Sequence, residues 1–377
     1  MTFDQLVVAA ADSGASDIHL RAGQVPLVRL NGDLQRWSSV APLTADHLEA
    51  IALRLLPPVH QERLQSKLEV DVAWQAPGVG RVRASVFRQR GTIGVAMRLI
   101  PEEIPTLAAL GLPGSVIRLT TESRGLVLVT GVTGSGKSTT LAALVDLINR
   151  TRPLHVLTIE DPIEFVHKDQ RAVITQREIG FDTPNYASGL RAALRQDPDV
   201  ILIGEMRDPE TIETALVAAE TGHLVFSTLH TLDAPETINR IIAAFPPHQQ
   251  EQIRIQLARV LRAAVSQRLL PRADGLGRAL AAEVLISTPY IRDCIQDPEK
   301  TSLIADAIVA GVSEYGMQSF DQAILRLCQQ KAVTIEEAER WVTNVEEFKM
   351  RLRGITSGPT VAVAQAVREP EIQPFGR

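Results

Sequence analysis

The sequence contains little cysteine and few aromatic residues. Its 377 residues include two cysteines, and aromatic residues make up 4% of the chain. Cys294 and Cys328 are isolated in the sequence, so they predict neither a disulfide framework nor a four-ligand zinc site. A reducing compartment is the simpler environment for such a chain. The scarcity of aromatic side chains also argues against a surface on which nucleic-acid bases stack.

Long apolar runs and an excess of positive charge are absent as well. No apolar segment reaches the roughly 20 residues that a membrane-spanning helix requires. The first residues, MTFDQLVVAAADSG, have no basic lead and only a short apolar stretch, so they do not resemble a secretory signal. The net charge of -5 argues against a nucleic-acid partner. We therefore expect a cytoplasmic protein that inserts no segment into a membrane and attaches to one only through a partner.

The first hundred residues are predicted to form a small α+β unit. The dipeptide Asn31-Gly32 separates two short strand patterns and favours a two-residue hairpin turn. A second hairpin is predicted at 80–101, because apolar and polar residues alternate along both of its strands. One face of this second hairpin is apolar, and the other carries Arg83 and Arg98.

The chain beyond residue 115 alternates strand patterns with helical ones. Continuous apolar runs are typical of a parallel sheet covered on both faces, and this part of the chain has four: GLVLVTG, LHVLTIE, DVILIGE and GHLVFSTLH.

The sequence also predicts helices and domain boundaries along the whole chain. Helical patterns are predicted at 43–68, 247–270 and 299–353. The predicted division is an N-terminal domain at 1–100, a Pro- and Gly-rich linker at 101–115, an α/β domain at 116–289, a helical region at 290–355 and a disordered tail at 356–377.

A glycine-rich loop follows the first of these strands, with the spacing G-x-x-x-x-G-K-S. An apolar strand precedes it and a helix with one apolar face follows, which is the context that a phosphate-binding loop requires and a plain Gly/Ser-rich turn does not. Glycines let backbone N–H groups curl around phosphate oxygens, Lys137 neutralises the β and γ phosphates, and Ser138 offers an oxygen to Mg²⁺. The predicted nucleotide-binding residues are Gly131, Thr133, Gly134, Ser135, Gly136, Lys137, Ser138 and Thr139.

Acidic residues end two of the predicted strands. Glu160 and Asp161 follow one strand, with Glu164 beyond a proline, and Glu205 follows the apolar run of another. Hydrolysis of a phosphate ester needs an acid that holds Mg²⁺ and a group that positions the attacking water, and both come from the carboxyl ends of parallel strands. We predict Ser138, Glu205 and Asp161 as Mg²⁺ ligands. Helix capping is the alternative for Asp161, because the proline after it is a favoured first helical residue.

Two histidines, His223 and His230, bracket a third apolar strand. A histidine is more often a satisfied structural residue than a functional one, and that alternative stays open for both. A shared metal is not expected, because opposite ends of such a strand lie roughly 20 Å apart at about 3.3 Å per residue.

Taken in order, the phosphate loop, TIEDPIEFVH, GEMRDPETIETAL and TGHLVFSTLHT resemble the motifs of the ATPases of type IV pili and type II secretion. The acidic segments correspond to that family's Asp box and Walker B motif, and the last segment to its His box. Three further segments resemble sequences of the retraction, or twitching-motility, branch of this family: ASDIHL, the arginine hairpin at 80–101 and YGMQSFDQAI. The resemblance extends over about residues 3–353.

The resemblance implies an α/β fold, with a RecA-like P-loop motor domain preceded by a PAS-like α+β domain and followed by a helical C-terminal region. It also implies a homo-hexamer that hydrolyses ATP, with Mg²⁺, to power pilus retraction. Such a ring would lie in the cytoplasm, at the inner face of the cytoplasmic membrane. The expected partners are an inner-membrane pilus platform protein and a second retraction or extension ATPase, and no nucleic acid.

Catalytic roles follow from the same resemblance. Glu164 matches the residue that orients the attacking water, with Glu160 close to it, and His223 and His230 would sense the nucleotide. Arginines of the N-terminal hairpin would reach the phosphates, although a solvated face is the alternative for them. The catalytic residues implied are Glu160, Glu164, Glu205, Arg83, Arg98, His223 and His230.

One segment departs from the retraction branch, which typically carries a sequence like AIRNLIRE after the motor domain. This chain has YIRDCIQD at 290–297, where the final Arg-Glu has become Gln-Asp. The departure suggests a diverged or auxiliary retraction motor. Three alternatives stay open. The first is an extension or type II secretion ATPase, which usually has an additional N-terminal domain and a four-cysteine motif. The second is a RecA-like DNA motor, which needs a basic pore loop. The third is a regulator without hydrolytic activity.

Overall fold

The computed structural model describes residues 2–30, 32–100 and 103–354. By their contacts, the residues form two units. The first is Met1–Glu103 together with Pro162–Val166, and the second is Ile104–Asp161 together with His167–Arg377. The tail predicted at 356–377 lies outside the described residues.

The first unit contains a six-stranded antiparallel sheet in the order β3-β2-β1-β6-β5-β4. Its strands are β1 Asp17–Arg21, β2 Leu27–Leu30, β3 Asp33–Arg36, β4 Glu69–Ala76, β5 Gly80–Gln89 and β6 Thr92–Leu99. Its helices are α1 Phe3–Asp12, α2 Ala45–Leu55 and α3 Pro58–Lys67. The hydroxyl groups of Thr2 and Thr44 accept backbone N–H groups in the first turns of α1 and α2, which stabilises both helix starts.

Both predicted hairpins are present in this unit. Leu30 pairs with Asp33 across the first turn, and β5 pairs with β6 along its length in the second. The apolar residues of β5 are buried in the core of the unit, while Arg83 is exposed and pairs in register with Arg98. The separation of an apolar and an arginine-bearing face is therefore confirmed.

The second unit contains a seven-stranded sheet in the order β13-β12-β7-β11-β10-β8-β9. Neighbouring strands are parallel except β12 and β13, which are antiparallel. The strands are β7 Gly125–Thr130, β8 His155–Glu160, β9 Val173–Glu178, β10 Val200–Ile203, β11 Leu224–Leu229, β12 Leu261–Pro271 and β13 Arg278–Ile286. The four continuous apolar patterns in the sequence correspond to β7, β8, β10 and β11, and their prediction as parallel strands is confirmed.

Helices cover both faces of this sheet. Residues on one face of β7, such as Leu126, pack in one apolar cluster, and those on the other face, such as Val127, pack in a second cluster. Burial on both faces explains why these strands are apolar throughout. The helices are α4 Gly114–Arg118, α5 Lys137–Thr151, α6 Tyr186–Ala193, α7 Pro209–Glu220, α8 Ala234–Ala243, α9 Pro247–Val260, α10 Pro289–Gln296, α11 Ile304–Ala310, α12 Val312–Tyr315, α13 Phe320–Gln329, α14 Ile335–Ala338 and α15 Val345–Leu352. Among the described helices, none is long and apolar enough to cross a membrane.

The helical prediction for 247–270 is wrong in its second half. Helix α9 ends at Val260, and Leu261–Pro271 is strand β12, between β7 and β13. The sequence of β12 is rich in Leu, Arg, Ala and Gln, which favour helices in isolation. Pairing with a buried strand on each side outweighs that intrinsic preference, which amounts to only a few tenths of a kcal/mol per residue.

Candidate functional site

The glycine-rich loop connects the carboxyl end of β7 to the first residue of α5. Gly131, Gly134 and Gly136 have φ angles of 141°, 79° and 91°, which residues with side chains rarely adopt. A Cβ atom on Gly131 would also lie 2.5 Å from the Ser135 Oγ and 2.6 Å from the carbonyl oxygen of Gln267. The backbone of the loop can therefore take this path only with glycine at these positions.

The Lys137 side chain folds back onto the loop. Its ammonium group donates to the carbonyl oxygens of Gly131 at 2.8 Å and Val132 at 3.0 Å, and the residue is 8% exposed. A buried positive charge therefore lies at the N-terminal end of α5, where the helix dipole also favours an anion. Both features suit a polyphosphate.

The acidic strand ends lie on the same edge of the sheet as this loop. Strands β7, β11, β10 and β8 are consecutive neighbours and parallel, so their carboxyl ends meet at one edge. That edge carries the phosphate loop, His230, Glu205, and the pair Glu160 and Asp161, in this order. Strand order thus brings together groups that are up to 100 residues apart in the chain.

The side chains of His230 and Arg207 contact Glu205. His230 Nε2 lies 3.2 Å from its Oε1, and Arg207 Nη2 lies 2.7 Å from its Oε2. The Glu205 side chain is 15% exposed, and the hydrogen bond to it raises the pKa of Arg207. The Thr228 hydroxyl group donates to the Gly204 carbonyl oxygen at 2.6 Å, which fixes the backbone next to this carboxylate. Both oxygens of Glu205 therefore have defined directions.

The end of β8 is organised differently. Glu160 Oε1 accepts the Thr158 hydroxyl group at 2.6 Å and the Gln176 amide at 3.3 Å, whereas Asp161 is exposed at the rim. The capping alternative for Asp161 is wrong, because no helix begins at the proline that follows it. The exposed Asp161 carboxylate is available to ligands on this edge.

Two buried polar atoms beside the loop have no hydrogen-bond partner within the described residues. They are the Ser135 Oγ and the Gln267 Oε1, and their residues are only 2% and 1% exposed. Buried polar groups are normally satisfied, so unsatisfied ones next to a phosphate loop fit a site that is completed by a ligand. Oxygen ligands of the kind that Mg²⁺ prefers, from Ser138, Asp161 and Glu205, are positioned on the same sheet edge. These residues therefore fit a Mg²⁺-nucleotide.

A cavity of about 650 Å³ adjoins the start of α5. Gly136, Thr139 and Leu269 line it, and arginines contribute to its wall. One of these, Arg326, donates to the Gln318 side chain, and burial lowers its pKa. The volume is within the range of ligand pockets and adequate for the base and ribose of a nucleotide.

Several predicted residues are not part of this edge. His223 precedes β11 at the opposite edge, where its Nδ1 lies 2.9 Å from the Ala218 carbonyl oxygen. Glu164 belongs by its contacts to the first unit, as do Arg83 and Arg98. The functional roles of these four residues stay predictions. Sequence reasoning missed Arg207, although its position two residues after Glu205 on a strand end was a usable signal.

The fold and the site define a class of protein, a RecA-like α/β ATPase whose candidate nucleotide site lies at the carboxyl edge of a largely parallel sheet. The family model described as type II/IV secretion system protein matches residues 2–340. The chain therefore belongs to the type II/IV secretion ATPase family, and the predictions of family and fold class are confirmed.

Individual relatives resemble the chain over almost its whole length. It is 42% identical to the type IV pilus retraction ATPase PilT of Pseudomonas aeruginosa, over 92% of this chain and 100% of that protein. It is 37% identical to the type IV pilus ATPase PilU of the same species, over 94% and 92% of the two chains. The crystal structure of the pilus retraction motor PilT with bound ADP is 45% identical, with a TM-score of 0.85 over 92% of this chain and 98% of that chain.

Proposed function

We propose that this protein hydrolyses ATP to drive retraction of type IV pili and twitching motility. The observation that carries the proposal is Glu205, held between His230 and Arg207 on the sheet edge that bears the phosphate loop. Similarity to PilT over nearly the full length of both chains supports pilus retraction as the work performed.

The residues of the site divide the work of hydrolysis. Backbone N–H groups of 131–136 and the ammonium group of Lys137 bind the phosphates. Ser138, Asp161 and Glu205 would hold Mg²⁺, which neutralises charge that develops on the phosphate oxygens. Glu160 or Glu164 accepts a hydrogen bond from the attacking water and orients it toward the γ phosphorus. His230 keeps the Glu205 carboxylate in place.

We propose a homo-hexamer as the working form, in which arginines of the first unit complete the site of a neighbouring subunit. Arg83 and Arg98 lie side by side on an exposed sheet face, which is available to a second copy of the chain. The ring would act at the cytoplasmic face of the inner membrane on a pilus platform protein, together with a second retraction or extension ATPase.

A second candidate is an auxiliary retraction motor, and α10 favours it. Ile291, Cys294 and Ile295 of this helix are buried, whereas Gln296 is exposed and Asp297 is half-buried. The departure from AIRNLIRE at these last two positions changes the surface of the helix, while Cys294 lies on its buried face where AIRNLIRE has leucine. A changed surface is expected when a contact to a partner has diverged.

Deleting the gene tests the direction of work. We expect cells with normal or excess surface pili and poor twitching, because extension continues while retraction fails. Surface pili are counted by electron microscopy, and twitching is measured as the spread of colonies. A second strain that expresses Lys137→Ala protein should match the deletion. Cells without any pili would contradict the retraction assignment while leaving the ATPase assignment intact.

A further inference from the structure

Tyr186 lies where the two acidic strand ends meet. A Cβ atom built on Gly204 would lie 2.9 Å from the Tyr186 hydroxyl oxygen, 3.3 Å from the Ile159 carbonyl oxygen and 3.4 Å from Glu160 Cα. The phenol oxygen therefore occupies space beside Gly204 that a side chain there would fill. Gly204 has no positive φ, so this close approach, rather than backbone conformation, explains a glycine directly before Glu205.

The local structure of α6 aims Tyr186 at this position. Tyr186 is the first residue of the helix, and the Asn185 side chain caps that end by accepting the Ser188 N–H group at 2.8 Å. One turn later, Gly189 lets the helix approach β8, because a Cβ there would lie 3.2 Å from Ile159 Cγ2. Capping and close packing together restrict the directions open to the phenol ring.

The surroundings of the hydroxyl group are acidic. Burial, and then the charges of Asp161, Glu205 and Glu160, raise the pKa of Tyr186 far above its ordinary value. A tyrosine hydroxyl group is a hydrogen-bond donor. A donor beside the ends of both acidic strands can bind an oxygen that their carboxylates also hold.

We propose that Tyr186 is a positioning residue for hydrolysis, whose hydroxyl group donates to a water molecule shared by the Asp161 and Glu205 carboxylates and so links the two acidic strand ends. The inference rests on the proposed ATP hydrolysis. A donor held between the two strand ends fixes the direction of the water molecule and of the carboxylate oxygens that hold it. Oxygens with fixed directions favour binding of Mg²⁺-nucleotide over the metal-free nucleotide.

Tyr186→Phe tests this role, because it keeps the ring and removes only the hydroxyl group. We expect kcat to fall about 10- to 100-fold, the loss typical of one hydrogen bond to a charged network, with KM changed less than kcat. A second measurement does not depend on turnover: the affinity for fluorescent ADP, with Mg²⁺ and with EDTA. The variant should lose most of the gain in affinity that Mg²⁺ confers and keep the affinity measured in EDTA. Tyr315→Phe is the matched control and should leave all of these values unchanged.

Each other result contradicts the proposal. Wild-type kcat and a wild-type gain from Mg²⁺ in Tyr186→Phe would show that the hydroxyl group does nothing. An equal loss of affinity with and without Mg²⁺, or a lower melting temperature with no change in the gain, would show a purely structural role. If the wild-type protein fails to hydrolyse ATP, the proposed function fails, while the ADP measurement still tests Tyr186.

A second variant checks the geometry itself. Gly204→Ala should lower the melting temperature, because the new methyl group meets the phenol oxygen. The same substitution should cost less in the Tyr186→Phe background, where that oxygen is absent. Equal costs in the two backgrounds would contradict the position assigned to the hydroxyl group.

Discussion

At the scale of single residues, the proposed function assigns Lys137 and Glu205 to different stages of the reaction. Lys137 lies at the end of the phosphate loop, where its charge would bind the phosphates. Glu205 follows β10, two strands away from β7 in the sheet, and its carboxylate would act on Mg²⁺ and water. Binding and turnover should therefore separate when the two residues are changed one at a time.

We predict that Lys137→Ala loses nucleotide binding, whereas Glu205→Gln keeps binding and loses turnover. Removal of the lysine leaves the phosphate charge uncompensated, and the amide of glutamine cannot replace a carboxylate on Mg²⁺. Fluorescent-nucleotide titration and phosphate release measure the two effects, with Glu213→Gln on the exposed face of α7 as the control. Normal hydrolysis by Glu205→Gln would remove this residue from the mechanism.

At the scale of elements, Glu283 joins β13 to the start of α8. Its Oε1 accepts the Ala234 N–H group at 2.8 Å, so the helix that follows the His box is tied to the far edge of the sheet. Burial raises the pKa of this carboxyl group to about 7, with Asp233 adding to the rise and Arg268 and Ser266 opposing it. The native state therefore keeps a proton that the unfolded chain releases at lower pH.

We predict that this group makes the protein less stable as the pH rises. Between about pH 4.5 and 7, the native carboxyl group holds more protons than the unfolded one, so its contribution to stability falls across this window, by on the order of 1–3 kcal/mol. In Glu283→Gln the group no longer titrates, and the fall should be smaller. Urea unfolding at a series of pH values measures it. Identical slopes for the two proteins would contradict the prediction.

At the scale of the whole molecule, the question is whether one chain contains a complete site. Arg98 belongs to the first unit, where its Nε donates to the Asp17 Oδ1 at 2.9 Å. Across the sheet, Asp17 also pairs in register with Arg29, so the carboxylate lies between two arginines. Asp17 therefore positions Arg98, while the Arg98 side chain remains 67% exposed.

We predict that Arg98 acts across a subunit interface. Arg98→Ala should lower ATPase activity by about 10³-fold or more. Losses of this size are known for arginines that reach the charge developing on a transferred phosphate. Mixing inactive Arg98→Ala and Lys137→Ala proteins should restore part of the activity, because some interfaces then combine an intact loop with an intact arginine. Arg63→Ala, at an exposed position of α3, is the control. If the mixture stays inactive, Arg98 acts only within its own chain; full activity of Arg98→Ala alone would exclude it.

The sequence by itself determined the features that depend on residues close together in the chain. The spacing of the phosphate loop, the continuous apolar patterns of β7, β8, β10 and β11, and the two-faced hairpin at 80–101 could all be predicted, because covalent spacing and side-chain periodicity specify them. The acids at the ends of β8 and β10 could also be placed on one edge of the sheet, because the carboxyl ends of parallel strands meet at the same edge.

Only the tertiary structure decided the features that join distant residues. It made β12 a strand, because its neighbours β7 and β13 outweigh a sequence that favours a helix. It brought His230 onto Glu205 and Tyr186 beside Gly204. The physical reason is that strand order and close packing depend on contacts between residues that are far apart in the chain. The local sequence around a residue does not specify which distant residue it will contact.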